Sequence, residues 1–198
     1  MHKTIDEIVR KKNVQKITVV TSYDYTMATL CDQVDILLVG DSAGMVMLGY
    51  ENTAPVTMDQ MCMFTEGVSN GRKNALIVAD LPNKSYENEV DAIANSQRLI
   101  KAGADAVKLE GRMPEIIKAI VQAGIPVMGH LGLLPQTATK YSVQGKMESD
   151  VESLLDDAKA LQEAGVFSIV LEMVTSEATK KVTEMLSVPT IGIGCGQY

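Results

Sequence analysis

Seven short aliphatic runs, spaced along the chain and separated by helical patterns, constrain this sequence more than any other feature. They are Ile17–Val20, Ile36–Val39, Ala75–Ala79, Ala106–Leu109, Pro126–Met128, Ser168–Leu171 and Thr190–Ile193. Runs of this length without polar alternation are the pattern of strands buried on both faces, and such strands belong to parallel sheets covered by helices. The intervening segments supply those helices. In Ser149–Ala164, Val151, Leu154, Leu155, Ala158 and Leu161 recur at helical spacing beside acidic positions. Thr4 with Glu7, and Thr57 with Gln60, have the spacing of capping boxes that open helices. Strands alternating with helices predict βαβ units.

A weak internal repeat sharpens the prediction. Ala102-Gly103, Ala123-Gly124 and Ala164-Gly165 each close a helical pattern just before a strand, where glycine accepts the left-handed backbone of a helix stop. The recurrence predicts a (β/α)8 TIM barrel over a single domain, residues 1–198, with its last βα unit missing from the sequence. A doubly wound open sheet is the alternative. Two places read as too short for a barrel. A helix over Thr26–Gln33 runs into a strand over Val34–Val39 with no connection, and Thr139–Ser142 is similarly curt. Residues omitted at these points and beyond Tyr198 are the expectation.

Composition then narrows the function classes. The net charge is −7, with 4% aromatic residues, no Trp and no basic stripe, which argues against a nucleic-acid partner. No apolar run approaches the roughly 20 residues of a membrane helix, and Met1–Asp6 lacks the apolar core of a signal peptide, so a cytoplasmic protein without a membrane partner is expected. Cys31, Cys62 and Cys195 are odd in number and far apart, unlike a disulfide framework or a zinc site. Cys195 has no activating neighbour in sequence. Neither Gly40–Gly44 nor Gly192–Gly196 completes a phosphate-binding or dinucleotide-binding fingerprint. Lys11-Lys12 and Lys180-Lys181 read as solvated helix faces.

In a parallel barrel the chemistry sits at the C-terminal ends of the strands. Read in order, those ends carry Thr21–Tyr25, Asp41-Ser42, Asp80, Lys108 with Glu110, His130, and Glu172. Four acids meeting at one mouth need a counter-charge, because a buried unpaired carboxylate is costly. Oxygen-only ligation by Asp41 and Asp80, with Glu110 nearby, suits Mg2+. The competing reading makes each acid a helix cap. It is weakest for Asp41 and Asp80, since neither Ser-Ala-Gly nor Leu-Pro looks like the start of a regular helix. Lys108 and Glu110 share one side of their strand, so the lysine either binds a carboxylate, forms a Schiff base or pairs with Glu110. His130 is either a core histidine or a site residue.

These residues lie within a longer series: Thr21–Tyr25, Leu38–Met45, Leu48–Tyr50, Pro55–Met58, Ala75–Pro82, Val107–Gly111, Ile125–Leu133, Pro135-Gln136, Val143–Lys146, Val170–Glu172 and Pro189–Gly194. Taken in order over nearly the whole chain, the series closely resembles the ketopantoate hydroxymethyltransferase (3-methyl-2-oxobutanoate hydroxymethyltransferase) family. The resemblance implies a barrel of the phosphoenolpyruvate-pyruvate superfamily, cytoplasmic, acting in pantothenate and coenzyme A biosynthesis and assembled as a homodecamer. It implies transfer of a hydroxymethyl group from 5,10-methylenetetrahydrofolate to 3-methyl-2-oxobutanoate through a Mg-stabilised enolate, giving 2-dehydropantoate. By the same resemblance Asp41 and Asp80 ligate Mg2+ with Glu110 at the metal, and Asp80 also borders the substrate. Ser42 and Lys108 hold the keto acid's carboxylate, His130 lines the pocket, and Glu172 is the general base.

The chain departs from the family pattern in three places. An Ala-Gly-like turn where Gln33 meets Val34, a Gly-Gly stretch before Val143, and a tail beyond Gly196 are not in the sequence, which bears on barrel closure and on the folate side of the pocket. Two rival readings remain at this level: a related Mg-dependent C–C lyase or mutase on an α-keto acid, and an inactive keto-acid-binding paralogue.

Overall fold

The aliphatic runs become the strands. The computed structural model describes residues 2–198. In chain order it contains α1 (Ile5–Arg10), β1 (Val19–Thr21), α2 (Tyr25–Cys31), β2 (Ile36–Val39), α3 (Ala43–Leu48), α4 (Met58–Gly71), β3 (Leu76–Asp80), α5 (Glu89–Lys101), β4 (Ala106–Lys108), α6 (Pro114–Gln122), β5 (Val127–Gly132), α7 (Glu148–Glu163), β6 (Ser168–Glu172), α8 (Ser176–Met185) and β7 (Thr190–Ile193). The strands pair in sequence order, β1 to β7, and every pairing is parallel. This is the predicted nearly closed barrel rather than the open doubly wound sheet, whose strand order would reverse. A cleft of about 890 Å³ separates the two edges, β1 and β7, with Ile17, Val19, Pro189 and Ile191 among its walls.

The alternation of strand side chains divides the core in two. One set, including Leu37, Val39, Ile77, Ala79, Val107, Val127, Ile169 and Leu171, packs outward against helices. The other points into the barrel: Ile36, Leu38, Leu76, Val78, Ala106, Met128, Val170 and Ile191, closed at the N-terminal end by Ile8 of α1. Burying an isoleucine such as Ile8, with no exposed surface, contributes about 2–3 kcal/mol. Its helix is held there by polar ties. The capping box of Thr4 and Glu7 forms as predicted, as does that of Thr57 and Gln60. Lys11 donates to Asp35 at 2.6 Å and Lys12 to the Thr183 carbonyl at 2.6 Å. Those two lysines are therefore ties between elements, not a solvated face.

The helix stops at Gly103, Gly124 and Gly165 all have the left-handed backbone anticipated for them. Other expectations need correction. Helix α2 ends at Cys31 and β2 starts at Ile36, so residues 32–35 form an ordinary connection where none was expected. The buried Asp32 carboxylate explains the early stop, because it accepts from the backbone N–H groups of Lys73, Asn74 and Ala75 and from the Asn74 side chain. Those bonds fix the loop before β2 to the loop before β3. The segment containing Thr139–Ser142 is not curt either. Residues 133–147 link β5 to α7, with Gln144 bridging to Val174 on the way.

Burial raises the Asp32 pKa, but the bonds from residues 73–75 outweigh it and hold the carboxyl below its ordinary value. A depressed folded-state pKa means the stabilisation is complete above the unfolded value, near pH 4, and is lost as pH falls through the lower folded value. Asp32→Ala is expected to lower the unfolding free energy by about 2–3 kcal/mol at neutral pH. Urea titrations should show that deficit shrinking below about pH 4; an equal deficit at all pH values would point to packing instead of charge.

Candidate active site

The inward positions change character along each strand. Toward the N-terminal end they are aliphatic; at the C-terminal end they become Asp80, Lys108, His130 and Glu172. The strand register makes these groups neighbours, with Asp80 beside Lys108 on β3 and β4, and Gly132 beside Glu172 on β5 and β6. A single mouth therefore collects residues separated by more than ninety positions in sequence. The fold brings together all seven anticipated residues, although only four lie on strands facing inward. Asp41 and Ser42 follow β2, and Glu110 lies just past β4.

Lys108 is the electrostatic centre. Its ammonium donates to Asp80 Oδ1 at 2.8 Å, and both side chains are about 5% exposed. The alternative pairing with Glu110 is not the one formed. Burial pulls the Lys108 pKa down, but Asp80, Glu110 and Asp41 outweigh it and push it above its ordinary value, so the lysine is charged. A Schiff-base lysine needs the opposite shift. Asp41 sits against the same pair, its backbone N–H donating to Asp80 Oδ2 at 3.2 Å. Burial first, and then the Asp80 charge, raise the Asp41 pKa to about 7. Burial raises Glu110 to about 8 despite the attraction of Lys108. One ammonium is insufficient for three buried carboxylates.

His130 is 2% exposed, and among the described residues neither ring nitrogen has a hydrogen-bond partner. Its Nδ1 lies 3.7 Å from Glu110 and its Nε2 lies 3.4 Å from Glu172. Burial, reinforced by Lys108, lowers the imidazole pKa well below its usual value, so the ring is neutral and these approaches are not ion pairs. A neutral imidazole still carries one N–H that wants an acceptor. Glu172 is partly exposed at the mouth, and burial raises its pKa above the ordinary carboxylate value.

One expectation about Asp41 is corrected. A regular helix, α3, does follow it, with Ser42 as the capping residue; yet the Ser42 hydroxyl makes no cap bond and pairs instead with the Tyr23 hydroxyl at 2.8 Å. Asp41 is also not a cap, since its Oδ2 accepts from the side chain of Gln136 at 2.9 Å. Tyr23, Tyr86 and Gln136 are the site residues that sequence reasoning did not single out. Tyr23 lay in the strand-end segment already marked, but Gln136 and Tyr86 are in irregular loops where no periodicity signals an inward side chain.

Among the described residues, no three carboxylate, imidazole or thiol groups are already gathered round one point. The chemistry of the donor set still suits a hard divalent cation: Asp41 and Asp80 are adjacent, oxygen-only and short of positive charge, and Mg2+ typically takes one or two carboxylates and keeps several waters. Among the described residues no helix is long and apolar enough to cross a membrane.

A parallel βα barrel whose C-terminal mouth gathers buried acids round one lysine is an enzyme of the α/β-barrel class. The family model described as "Ketopantoate hydroxymethyltransferase" matches residues 2–198. The 3-methyl-2-oxobutanoate hydroxymethyltransferase of Nitrosopumilus maritimus is 62% identical, over 99% of this chain and 74% of that protein. The enzyme of the same name from Cenarchaeum symbiosum is 59% identical over 93% and 73%. This chain belongs to the ketopantoate hydroxymethyltransferase family, so the transferase reading holds against the lyase and mutase alternative. In fold it is also similar to a solved 2,3-dimethylmalate lyase of the PEP mutase/isocitrate lyase superfamily, with a TM-score of 0.70 at 18% identity over 96% of this chain and 72% of that one.

Gly132 controls where Glu172 stands. Its φ is +94°, and a Cβ added there would lie 2.3 Å from the Glu172 carbonyl oxygen and 2.6 Å from Val174. Gly132→Ala is expected to destabilise the fold by on the order of 3 kcal/mol from backbone strain and collision. An alanine variant as resistant to denaturant as the native chain would contradict this account of the β5–β6 contact.

Proposed function

We propose that this chain transfers a hydroxymethyl group from 5,10-methylenetetrahydrofolate to 3-methyl-2-oxobutanoate, giving 2-dehydropantoate, with Mg2+ at Asp41 and Asp80. The observation that carries the reading is the counter-charge deficit at those two carboxylates and Glu110, beside a charged lysine and a neutral histidine without partners. With the cation offsetting the acids, an α-keto acid would bring a carboxylate to the remaining N–H groups of Lys108 and a carbonyl oxygen acceptor for the neutral histidine. When bound, the cation would supply Lewis-acid stabilisation of negative charge on the keto oxygen.

The chain's own residues do the rest. Lys108 uses one of its three N–H groups on Asp80 and has others for the substrate carboxylate, which Ser42 holds from the second strand end. Tyr23 orients the Ser42 hydroxyl. His130 gives its N–H to a substrate oxygen, which would remove the cost of leaving a buried donor unsatisfied, about 1–3 kcal/mol. Glu172, made more basic by burial, takes the proton from C3. The new carbon–carbon bond forms from C3 to the methylene carbon as both of that carbon's bonds to the folate nitrogens break; water supplies the hydroxyl, and tetrahydrofolate leaves with its two nitrogens protonated, one proton coming from water and one from C3. Glu110 would help hold the cation beside Asp41 and Asp80. The reading places this work in the cytoplasm.

Self-association into a homodecamer is part of the same proposal. It is supported by the exposed apolar side chains Met45, Val46, Met47 and Leu48 on α3 and Tyr25 and Leu30 on α2. Light scattering is expected to give the mass of several subunits; a monomer at micromolar concentration would remove this part.

The test is hydrogen–deuterium exchange at C3 of 3-methyl-2-oxobutanoate, followed by NMR without folate. Native protein with Mg2+ should exchange C3–H, and Glu172→Gln should exchange at least about 100-fold more slowly while still binding the keto acid. Asp41→Ala should lose Mg2+-dependent exchange. A folded, Mg2+-saturated native protein that leaves C3 unexchanged would overturn the enolising mechanism and favour an inactive binding protein.

A further inference from the structure

Gln136 occupies a position no strand-end rule predicts, yet it touches more of the site than any ligand candidate. Its Nε2 donates to Asp41 Oδ2 and to the Leu81 carbonyl, both at 2.9 Å. Its Oε1 accepts from the Tyr86 hydroxyl at 2.5 Å. Its backbone N–H donates to Glu110 Oε2 at 3.1 Å, and the Tyr86 oxygen in turn accepts from the Glu110 backbone N–H at 3.4 Å. The amide can face only one way. A carboxylate and a carbonyl are acceptors, so both must meet the NH2 end, which leaves the oxygen for the tyrosine.

The result is a closed chain of hydrogen bonds, Glu110 to Tyr86 to Gln136 and back to Glu110, with Asp41 attached. Gln136 and Tyr86 are 5% and 9% exposed, so these bonds are made away from bulk water. One oxygen of each carboxylate, Asp41 Oδ2 and Glu110 Oε2, is engaged from behind by a neutral donor. Among the described residues Asp41 Oδ1 and Glu110 Oε1 have no hydrogen-bond partner, and Glu110 Oε1 is the oxygen turned toward His130. A lysine or arginine in place of Gln136 would satisfy the same oxygens but would bring a positive charge that competes with a cation. A glutamine orients the acids and leaves their negative charge available.

We propose that Gln136, fixed by Tyr86, is a positioning residue that presets Asp41 and Glu110 for a divalent cation before substrate arrives. The inference rests on the Mg2+ site in the proposed function. Groups that orient ligands from behind typically change metal affinity by about 10–100-fold when removed. Gln136→Ala should therefore weaken Mg2+ binding by about that factor, and Tyr86→Phe, which removes only a hydroxyl and keeps the ring, by a few-fold.

The experiment is calorimetric titration of Mg2+ into metal-free protein without substrate, for the native chain, Gln136→Ala and Tyr86→Phe, with circular dichroism and thermal unfolding in parallel. Mg2+-dependence of turnover provides the second readout. The expected result is a raised Mg2+ requirement with kcat largely restored at saturating Mg2+, a split that loss of folded protein would not produce. Native binding with unchanged affinity in both folded variants would overturn the positioning role while leaving the metal site intact. If Gln136→Ala fails to fold, Tyr86→Phe decides by the same comparison. Native protein that binds no Mg2+ would instead overturn the metal reading, and this inference with it.

Discussion

The Asp80–Lys108 pair is the interaction on which the mouth of the barrel depends. Both groups are almost fully withdrawn from water, where each alone would carry a desolvation penalty of several kcal/mol. Adjacent parallel strands hold them side by side, so the attraction is obtained without ordering flexible surface chains. Asp41 and Glu110 then gather round the same ammonium, and the balance of charge tips negative. Burial raises the pKa of both acids, and at Asp41 the Asp80 charge adds to it. A site optimised only for folding would have apolar residues here, since a buried ionic cluster is often no better than well-packed hydrophobic groups. The barrel's lower layers, built from Ile36, Leu76, Val78 and Met128, are that alternative and carry the stability that the upper layer lacks.

His130 and the acids around it divide the labour by environment more than by residue type. The imidazole is kept neutral by burial and by a lysine it does not touch, while Glu172, on the next strand and nearer to solvent, has its pKa raised by partial burial. Two irregular loops then complete what the strands begin. Residues 133–147 deliver Gln136 to Asp41 and Glu110, and the segment after β3 delivers Tyr86 to Gln136. A rigid sheet positions the charged groups, and hydrogen bonds from the loops orient their free oxygens.

Most of the architecture was legible in the sequence because parallel strands buried on both faces must be continuously apolar, and a helix that stops on glycine leaves a local mark. The strand ends were legible for the same reason: an Asp, Lys, His or Glu directly after an aliphatic run stands out against it. The misreading at residues 32–35 shows where local pattern stops working. Val34 continues the apolar run in composition, but the bonds from residues 73–75 to Asp32 draw the chain out of helix early, and their donors lie some forty positions away. The helix after Asp41 was missed because α3 is short, apolar and without a side-chain cap, although Asp41 is not its cap, as the sequence indicated.

From the sequence alone came the seven strands, their helical spacers, and the list of polar residues at the strand ends, all properties of a residue and its near neighbours. Only the tertiary structure decided which of those residues meet. Lys108 pairs with Asp80 and not with Glu110, Ser42 with Tyr23, and Asp41 with Gln136. The physical reason is that register and burial are collective: a side chain's partner is set by the strand beside it and the loop above it, and the withdrawal of water that shifts each charge exists only once the barrel has assembled.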